Sequence, residues 1–255
     1  MTSTVLSDRE GRVAILTINR PDKLNALNDQ VRDELLEKLA EIADDDAVGV
    51  VVITGAGEKS FIAGADISEF AGRSPFDQRH AMRSPRIFDI MASFPKPVIA
   101  MINGFCLGGG CELALACTFR FAADTAHIGQ PEINLGIIPG FGGTQRLPRL
   151  VGPSKALEMN TTGEAISAEQ AYEHGLVNQV AADHELFDTA LAWARKYSRQ
   201  APLALEQIKR VSHRGDLDEG IEAEKQGFAA VFASEDAREG IGAFLGKRTP
   251  DFRGE

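Results

Sequence analysis

The sequence predicts an α/β protein built on a largely parallel, buried sheet. Two apolar, β-branched runs, Val48 to Ile53 and Pro97 to Ile102, each lead into a glycine-bearing loop, as buried strands do. A stretch with helical apolar spacing precedes the first run, and another helix follows the loop after the second. Strand, glycine turn, loop and helix in succession describe repeated β-α units. No strict sequence repeat accompanies them, so a solenoid is not implied.

The first strand is Val13 to Ile18, closed by Asn19-Arg20-Pro21 because proline cannot extend the ladder. From Asn28 to Ala43 the apolar positions Val31, Leu35, Leu36, Leu39 and Ile42 recur at helical spacing, with Asp33, Glu34, Glu37 and Lys38 between them. Val48 to Ile53 then enters the loop Thr54 to Gly57. In the second unit, Asn103-Gly104 makes a turn, Gly108 to Gly110 a flexible loop, and Cys111 to Ala116 begins a helix. After Ile133 the glycines at 136, 140, 142 and 143 form a loop, and helical patterns dominate from there. Leu203 to Val211, Ile221 to Phe232 and Ala237 to Leu245 read as consecutive amphipathic helices. Their apolar faces need a partner, either the core or another subunit. A boundary near Arg199 divides a core, 1–199, from a helical oligomerisation region, 200–255.

With 255 residues the chain is long enough for one sizeable core plus an accessory segment. A composition 44% hydrophobic and 25% charged is that of an ordinary globular protein. The net charge of -10 argues against nucleic acid as a partner, since phosphate binding needs a concentrated basic face. Met1 to Ala14 is polar and mixed in charge, and no apolar run spans a bilayer, so no membrane association and a cytoplasmic location are expected. Cys106, Cys111 and Cys117 match no zinc or redox spacing and read as small core residues.

Several familiar motifs fail. The segment 140–145 begins like a dinucleotide fingerprint but lacks its last glycine, and 55–60 lacks the glycine before the lysine of a phosphate loop. There is no nucleophile elbow. The histidines at 80, 127, 174, 184 and 213 show no ligand spacing, so no metal is expected.

Two loops leaving strands remain, Phe61 to Ile67 and Gly108 to Leu113. Glycine permits close backbone approach, and a helix start leaves N–H groups unpaired. Two such loops converging could cradle a developing oxyanion, although either alone reads as a tight turn. Glu112 alone reads as a carboxylate placed to suit the helix dipole. Glu132 lies between Gln130-Pro131 and the apolar Ile133-Asn134-Leu135, which makes a solvated role less apt.

At these residues the chain resembles the crotonase, or enoyl-CoA hydratase and isomerase, superfamily over nearly its whole length. Asn19-Arg20-Pro21 with Asn25-Ala26-Leu27 is similar to the family's first acyl-CoA segment, and Ala63 to Ile67 to its first oxyanion loop. Gly108 to Glu112, Gln130 to Glu132 and Pro139 to Leu147 match the central signature. Gly163-Glu164-Ala165, Glu169 to Asn178, and Lys247-Arg248 with Pro250 and Phe252 resemble the later segments.

The resemblance implies a spiral of ββα units with a C-terminal helical trimerisation region, assembled as a homotrimer or a dimer of trimers. It implies an enoyl-CoA hydratase that adds water reversibly to trans-2-enoyl-CoA, as in fatty-acid β-oxidation, with no cofactor beyond the CoA of the substrate. The Ala65 and Gly109 N–H groups would hold the thioester oxygen. Glu112 would activate water and Glu132 would protonate C2, with Gln130 orienting Glu112 and the Gly140 backbone helping to hold water. CoA contacts are implied at Lys23, Leu24, Ala26, Ala63, Asp66, Ile67 and Ser68, and at Phe228 and Lys247 of a neighbouring subunit. Ser68 stands where some relatives place lysine, and Thr118 where aspartate is common.

The chemistry fits these residue types. Negative charge builds on the thioester oxygen during addition, and losing one of two preorganised donors costs about 100 to 1000-fold. Neighbouring carboxylates resist double ionisation, so the pair can hold one proton between them and separate acid from base. A double-bond isomerase on the same fold needs a single carboxylate, so two glutamates favour hydration. A noncatalytic CoA- or RNA-binding relative is disfavoured by the acidic charge and the intact site.

Overall fold

The computed structural model describes residues 3–83, 86–212 and 216–255. Its strands, in chain order, are β1 (Val5–Glu10), β2 (Val13–Ile18), β3 (Val50–Gly55), β4 (Ser60–Ile62), β5 (Val98–Ile102), β6 (Phe105–Leu107), β7 (Phe119–Ala123), β8 (His127–Gly129), β9 (Ile166–Ser167) and β10 (Gln179–Ala181). The helices are α1 (Asp29–Ala43), α2 (Pro75–Ala81), α3 (Ile87–Ser93), α4 (Gly109–Ala116), α5 (Gly143–Val151), α6 (Pro153–Thr162), α7 (Ala168–Glu173), α8 (Leu186–Tyr197), α9 (Pro202–Val211), α10 (Leu217–Phe232) and α11 (Glu235–Leu245).

Two sheets result. The larger runs β1-β2-β3-β5-β7-β10, antiparallel only between β1 and β2. The smaller runs β4-β6-β8-β9 and is parallel from β4 to β8. Each of β3, β5 and β7 is thus followed closely by a three-residue strand of the second sheet. The predicted parallel α/β fold of ββα units is present.

The central strands are unbroken apolar runs because helices cover them: every residue of β3 and β5 is buried. Helix α1 begins where Asn28 caps it, its side chain accepting the Val31 N–H at 3.0 Å. It buries Val31, Leu35, Leu39 and Ile42 against the core. The turn after β5 is held by Asn103, whose amide spans the Gly55 N–H and the Gly55 and Gly57 carbonyls at 2.7–3.2 Å.

Three features extend or correct the sequence expectations. β1 gives little sequence signal, because only its first residue is fully buried and the remainder, polar except for Leu6, forms an exposed edge. Gly109 and Gly110 are not a flexible loop but the first residues of α4. Helices dominate beyond Ile133 as expected, with β9 and β10 among them closing one edge of each sheet. The apolar core extends from Val5 to Ala194. Helices α9, α10 and α11 add little to it and leave Phe228, Phe232, Phe244 and Leu245 59–83% exposed.

Candidate active site

The carboxyl ends of β4, β6 and β8 lie side by side, and the candidate groups follow from that register. Ile62 pairs with Cys106, and Cys106 with Ile128. Ala65 and Gly109 each stand three positions beyond this level, and Glu132 four. Ligands of open parallel sheets bind at such strand ends. Here the ends open on a cavity of about 1100 Å³, lined in part by Ala63, Ala65, Ile67, Gly109, Glu112, Glu132 and Gly140.

The two predicted oxyanion donors are brought together. Ala65 forms a parallel bridge with Leu27, in which Leu27 N–H donates to Gly64 O at 2.9 Å and Asp66 N–H to Leu27 O at 2.7 Å. That pattern leaves the Ala65 N–H outside the ladder. Gly109 opens α4, where the first N–H groups have no intrahelical acceptor. Neither N–H meets an acceptor among the described residues. A Cβ built on Gly109 would stand 3.4 Å from the Ala65 nitrogen, so the two amides are neighbours.

Glycine is required here for two separate reasons. Gly108 has φ 51°, and a side chain there would begin 3.3 Å from Glu132 Oε1. Gly110 sits where a Cβ would lie 2.0 Å from the Ile62 carbonyl oxygen, so it sets how closely α4 packs on β4.

Glu112 is 1% exposed, and its Oε1 accepts the N–H groups of Phe141 at 2.7 Å and Gly143 at 2.8 Å. Its Oε2 accepts nothing among the described residues and is left for the cavity. Burial raises its pKa, opposed by those two N–H groups and by the charges of Arg146 and Arg86. Glu132 has its pKa raised to about 7, first by burial and then by the charge of Glu112. Two carboxyl groups thus face one cavity in different environments: one is fixed by amides and cations, and the other keeps its proton near neutrality.

Gln130 corrects its expected role. It is fully buried, and with its amide nitrogen turned to Glu132 it donates to Oε1 at 2.9 Å and Oε2 at 3.1 Å. It therefore orients Glu132, while Glu112 is oriented by Phe141 and Gly143. The opposite amide orientation offers an acceptor to the protonated acid, so Gln130 suits either charge state.

The predicted CoA contacts fall into three sets. Ala63 and Ile67 line the cavity. Lys23, Leu24, Ala26, Asp66 and Ser68 do not, but all of these except Lys23 are joined by hydrogen bonds to the loop that does or belong to it. Ala63 N–H donates to Leu24 O at 3.1 Å, and Arg20 joins Ala26 O at 2.6 Å to Asp66 at 2.9 Å. Ser68 Oγ in turn donates to Asp66 at 2.6 Å. Phe228 and Lys247 are exposed and distant in sequence, and neither lines the cavity within this chain.

The sequence reading missed Arg86, Asp89 and Arg146, which flank the loop holding Glu112. The only local signal is the helical spacing of Arg86 and Asp89, which form an ion pair at 2.8 Å. Among the described residues no three His, Cys, Asp or Glu side chains gather as a metal-binding group; His213 lies outside those residues. No described helix is long and apolar enough to cross a membrane.

Comparison with known proteins agrees with this geometry. The profile of the enoyl-CoA hydratase/isomerase family matches residues 8–255. Crotonyl-CoA hydratase of Syntrophomonas wolfei is 42% identical over 252 residues, 97% of each chain. The 2,3-dehydroadipyl-CoA hydratase of Escherichia coli is 44% identical over 255 residues, 99% of each chain. The crystal structure of an enoyl-CoA hydratase from Bacillus anthracis superposes with a TM-score of 0.93 at 42% identity, covering 99% of this chain and 100% of that one.

Proposed function

The chain belongs to the enoyl-CoA hydratase/isomerase family, and from that premise we propose that Glu112 and Glu132 share the water added to a trans-2-enoyl-CoA. The activity is that of an enoyl-CoA hydratase: reversible syn addition giving the 3-hydroxyacyl-CoA. The observation that supports this pairing most is the two carboxyl groups in unlike environments, facing the same cavity as two N–H groups that have no acceptor among the described residues.

In this reading the thioester oxygen sits between the Ala65 and Gly109 amides, which stabilise the enolate as water adds at C3. Glu112 Oε2 takes a proton from that water, and protonated Glu132 delivers its own to C2. The proton gained by Glu112 then returns to Glu132, so the coupled pair is ready for the next turnover. The Gly140 carbonyl accepts from Arg86 at 3.1 Å, so the remaining polar group of Gly140 toward water is its N–H.

Lys23, Leu24, Ala26, Ala63, Asp66, Ile67 and Ser68 are assigned to the CoA moiety, with Phe228 and Lys247 supplied by a neighbour. That assignment accords with the exposed faces of α10 and α11 and with a homotrimer or a dimer of trimers. Sedimentation as a monomer at all concentrations would contradict it. The reading also assigns the enzyme to the cytoplasm, which cell fractionation checks.

The function is tested by incubating crotonyl-CoA in 18O-water. One labelled oxygen should appear at C3 of the product, with loss of the enone-thioester absorbance. An isomerase would interconvert 2- and 3-enoyl-CoA without label. Failure to hydrate any member of a panel of short, long, branched and aromatic enoyl-CoAs would refute the proposal.

A further inference from the structure

Resting on the reading of Glu112 as the base, we infer that Arg86 and Arg146, drawn together by Asp89, are positioning residues for hydration. They grip the carbonyls of Gly140 and Phe141 so that the N–H groups of Phe141 and Gly143 face Glu112.

The loop 140–143 is held from two sides. Its amides point at the carboxylate, and its carbonyls point at guanidinium groups: Arg86 Nη1 donates to Gly140 O at 3.1 Å and Arg146 Nη1 to Phe141 O at 2.9 Å. Asp89 accepts Arg86 Nε and Nη2 at 2.8 and 3.1 Å and Arg146 Nη2 at 3.4 Å, fixing both forks from α3. The Phe141 ring stacks on Phe88 at 4.6 Å between centroids, with Arg86 Cζ 5.9 Å from the same ring. Gly142 has φ 111°, and a Cβ there would lie 2.2 Å from Arg146 Nη1, so the guanidinium fills the space a side chain would take.

The cluster also answers an electrostatic need. A carboxylate that is 1% exposed resists ionisation. The charged and titratable groups facing Glu112 are Arg86 and Arg146, which favour its anion, Glu132, which opposes it, and the Cys111 thiol, kept neutral by a raised pKa. Asp89 stands behind the arginines and offsets part of their charge. One net positive charge remains to support the base.

The test compares Arg86→Gln and Arg146→Gln with Arg86→Lys and Arg146→Lys, using Arg149→Gln, exposed on the outer face of α5, as control. Readouts are kcat, KM, the pH profile of kcat/KM on crotonyl-CoA, and affinity for butyryl-CoA, which cannot be hydrated. Folded Gln variants should lose on the order of 100-fold in kcat while KM and butyryl-CoA affinity stay near those of the parent. The acid limb of kcat/KM should move to higher pH, because removing a cation raises the pKa of a carboxylate that must be ionised. The Lys variants, with charge but no fork, should restore the limb without the full rate. An unmoved acid limb in folded Gln variants overturns the inference. If the Gln variants do not fold, full kcat in both Lys variants overturns it instead. Glu112→Gln separates the two claims: if it still turns over, the base assignment fails. If it is inactive while the arginine variants keep the parent rate and profile, only the present inference fails.

Discussion

The Glu132→Gln substitution removes an acid whose pKa stands at about 7 instead of 4.5, raised first by burial and then by the charge of Glu112. The folded protein holds this proton more tightly than the unfolded chain does. The associated stability is therefore fully present below pH 4.5 and is lost as pH rises through about 7. At 1.36 kcal/mol per tenfold, that interval corresponds to about 3 kcal/mol. Partial exposure of the side chain reduces this to roughly 1–2 kcal/mol. Glutamine has no proton to lose and can still pair with the Gln130 amide, so the variant should be more stable than the parent at pH 8 and equal to it at pH 4. For a chain of this length the difference amounts to roughly 2–8 °C in Tm. Turnover should fall about 100 to 10,000-fold, the contribution of a positioned proton donor, while binding of a CoA ligand survives. Calorimetric melts at the two pH values, together with decay of the enone-thioester absorbance, measure both effects. A Tm difference independent of pH would refute the argument from the raised pKa. Unchanged turnover would remove Glu132 from the chemistry.

Two stability predictions concern the helix that holds Glu112. Gly110→Ala places a Cβ 2.0 Å from the Ile62 carbonyl oxygen, and urea unfolding should show a loss of about 1–3 kcal/mol; unaltered stability would mean α4 can shift on β4 without cost. Arg120 is buried beneath the other end of α4, donating to the carbonyls of Ala114 at 3.3 Å, Cys117 at 2.9 Å and Leu176 at 2.7 Å. Arg120→Met should cost on the order of 3 kcal/mol by leaving the Cys117 and Leu176 carbonyls unpaired, and a loss below about 0.5 kcal/mol would show that water or repacking replaces them.

The sequence disclosed elements whose signal is local and long. Helix α1 could be read because its apolar residues repeat over 15 residues and Asn28 caps it. Strands β3 and β5 could be read because sheets covered on both faces are apolar without interruption. Strands β4, β6 and β8 could not, since three residues are too few to show a period. Yet they set the level at which Ala65, Gly109 and Glu132 emerge, so the site residues were recognisable from family motifs while their alignment was not. The family resemblance implies Glu112 as the partner of Gln130, whereas the folded chain turns its amide to Glu132, two residues on. Arg86 and Arg146 act on a loop that folds back on itself, and their partners lie too far away in sequence for spacing to reveal them.

Because Ala65 and Gly109 lie three positions beyond paired residues of the neighbouring parallel strands β4 and β6, the spacing of the proposed oxyanion donors is tied to the separation of hydrogen-bonded strands, about 4.8 Å. The cavity wall from Phe70 to Met82 belongs to a different segment from either glutamate, whereas Asn134 and Leu135 share one 3-10 turn with Glu132. A bulkier or shorter acyl tail can thus be accommodated by rebuilding the first wall without moving Glu112 or Glu132. The second wall is tied to the acid itself, so changes there would alter chain selectivity and proton delivery together.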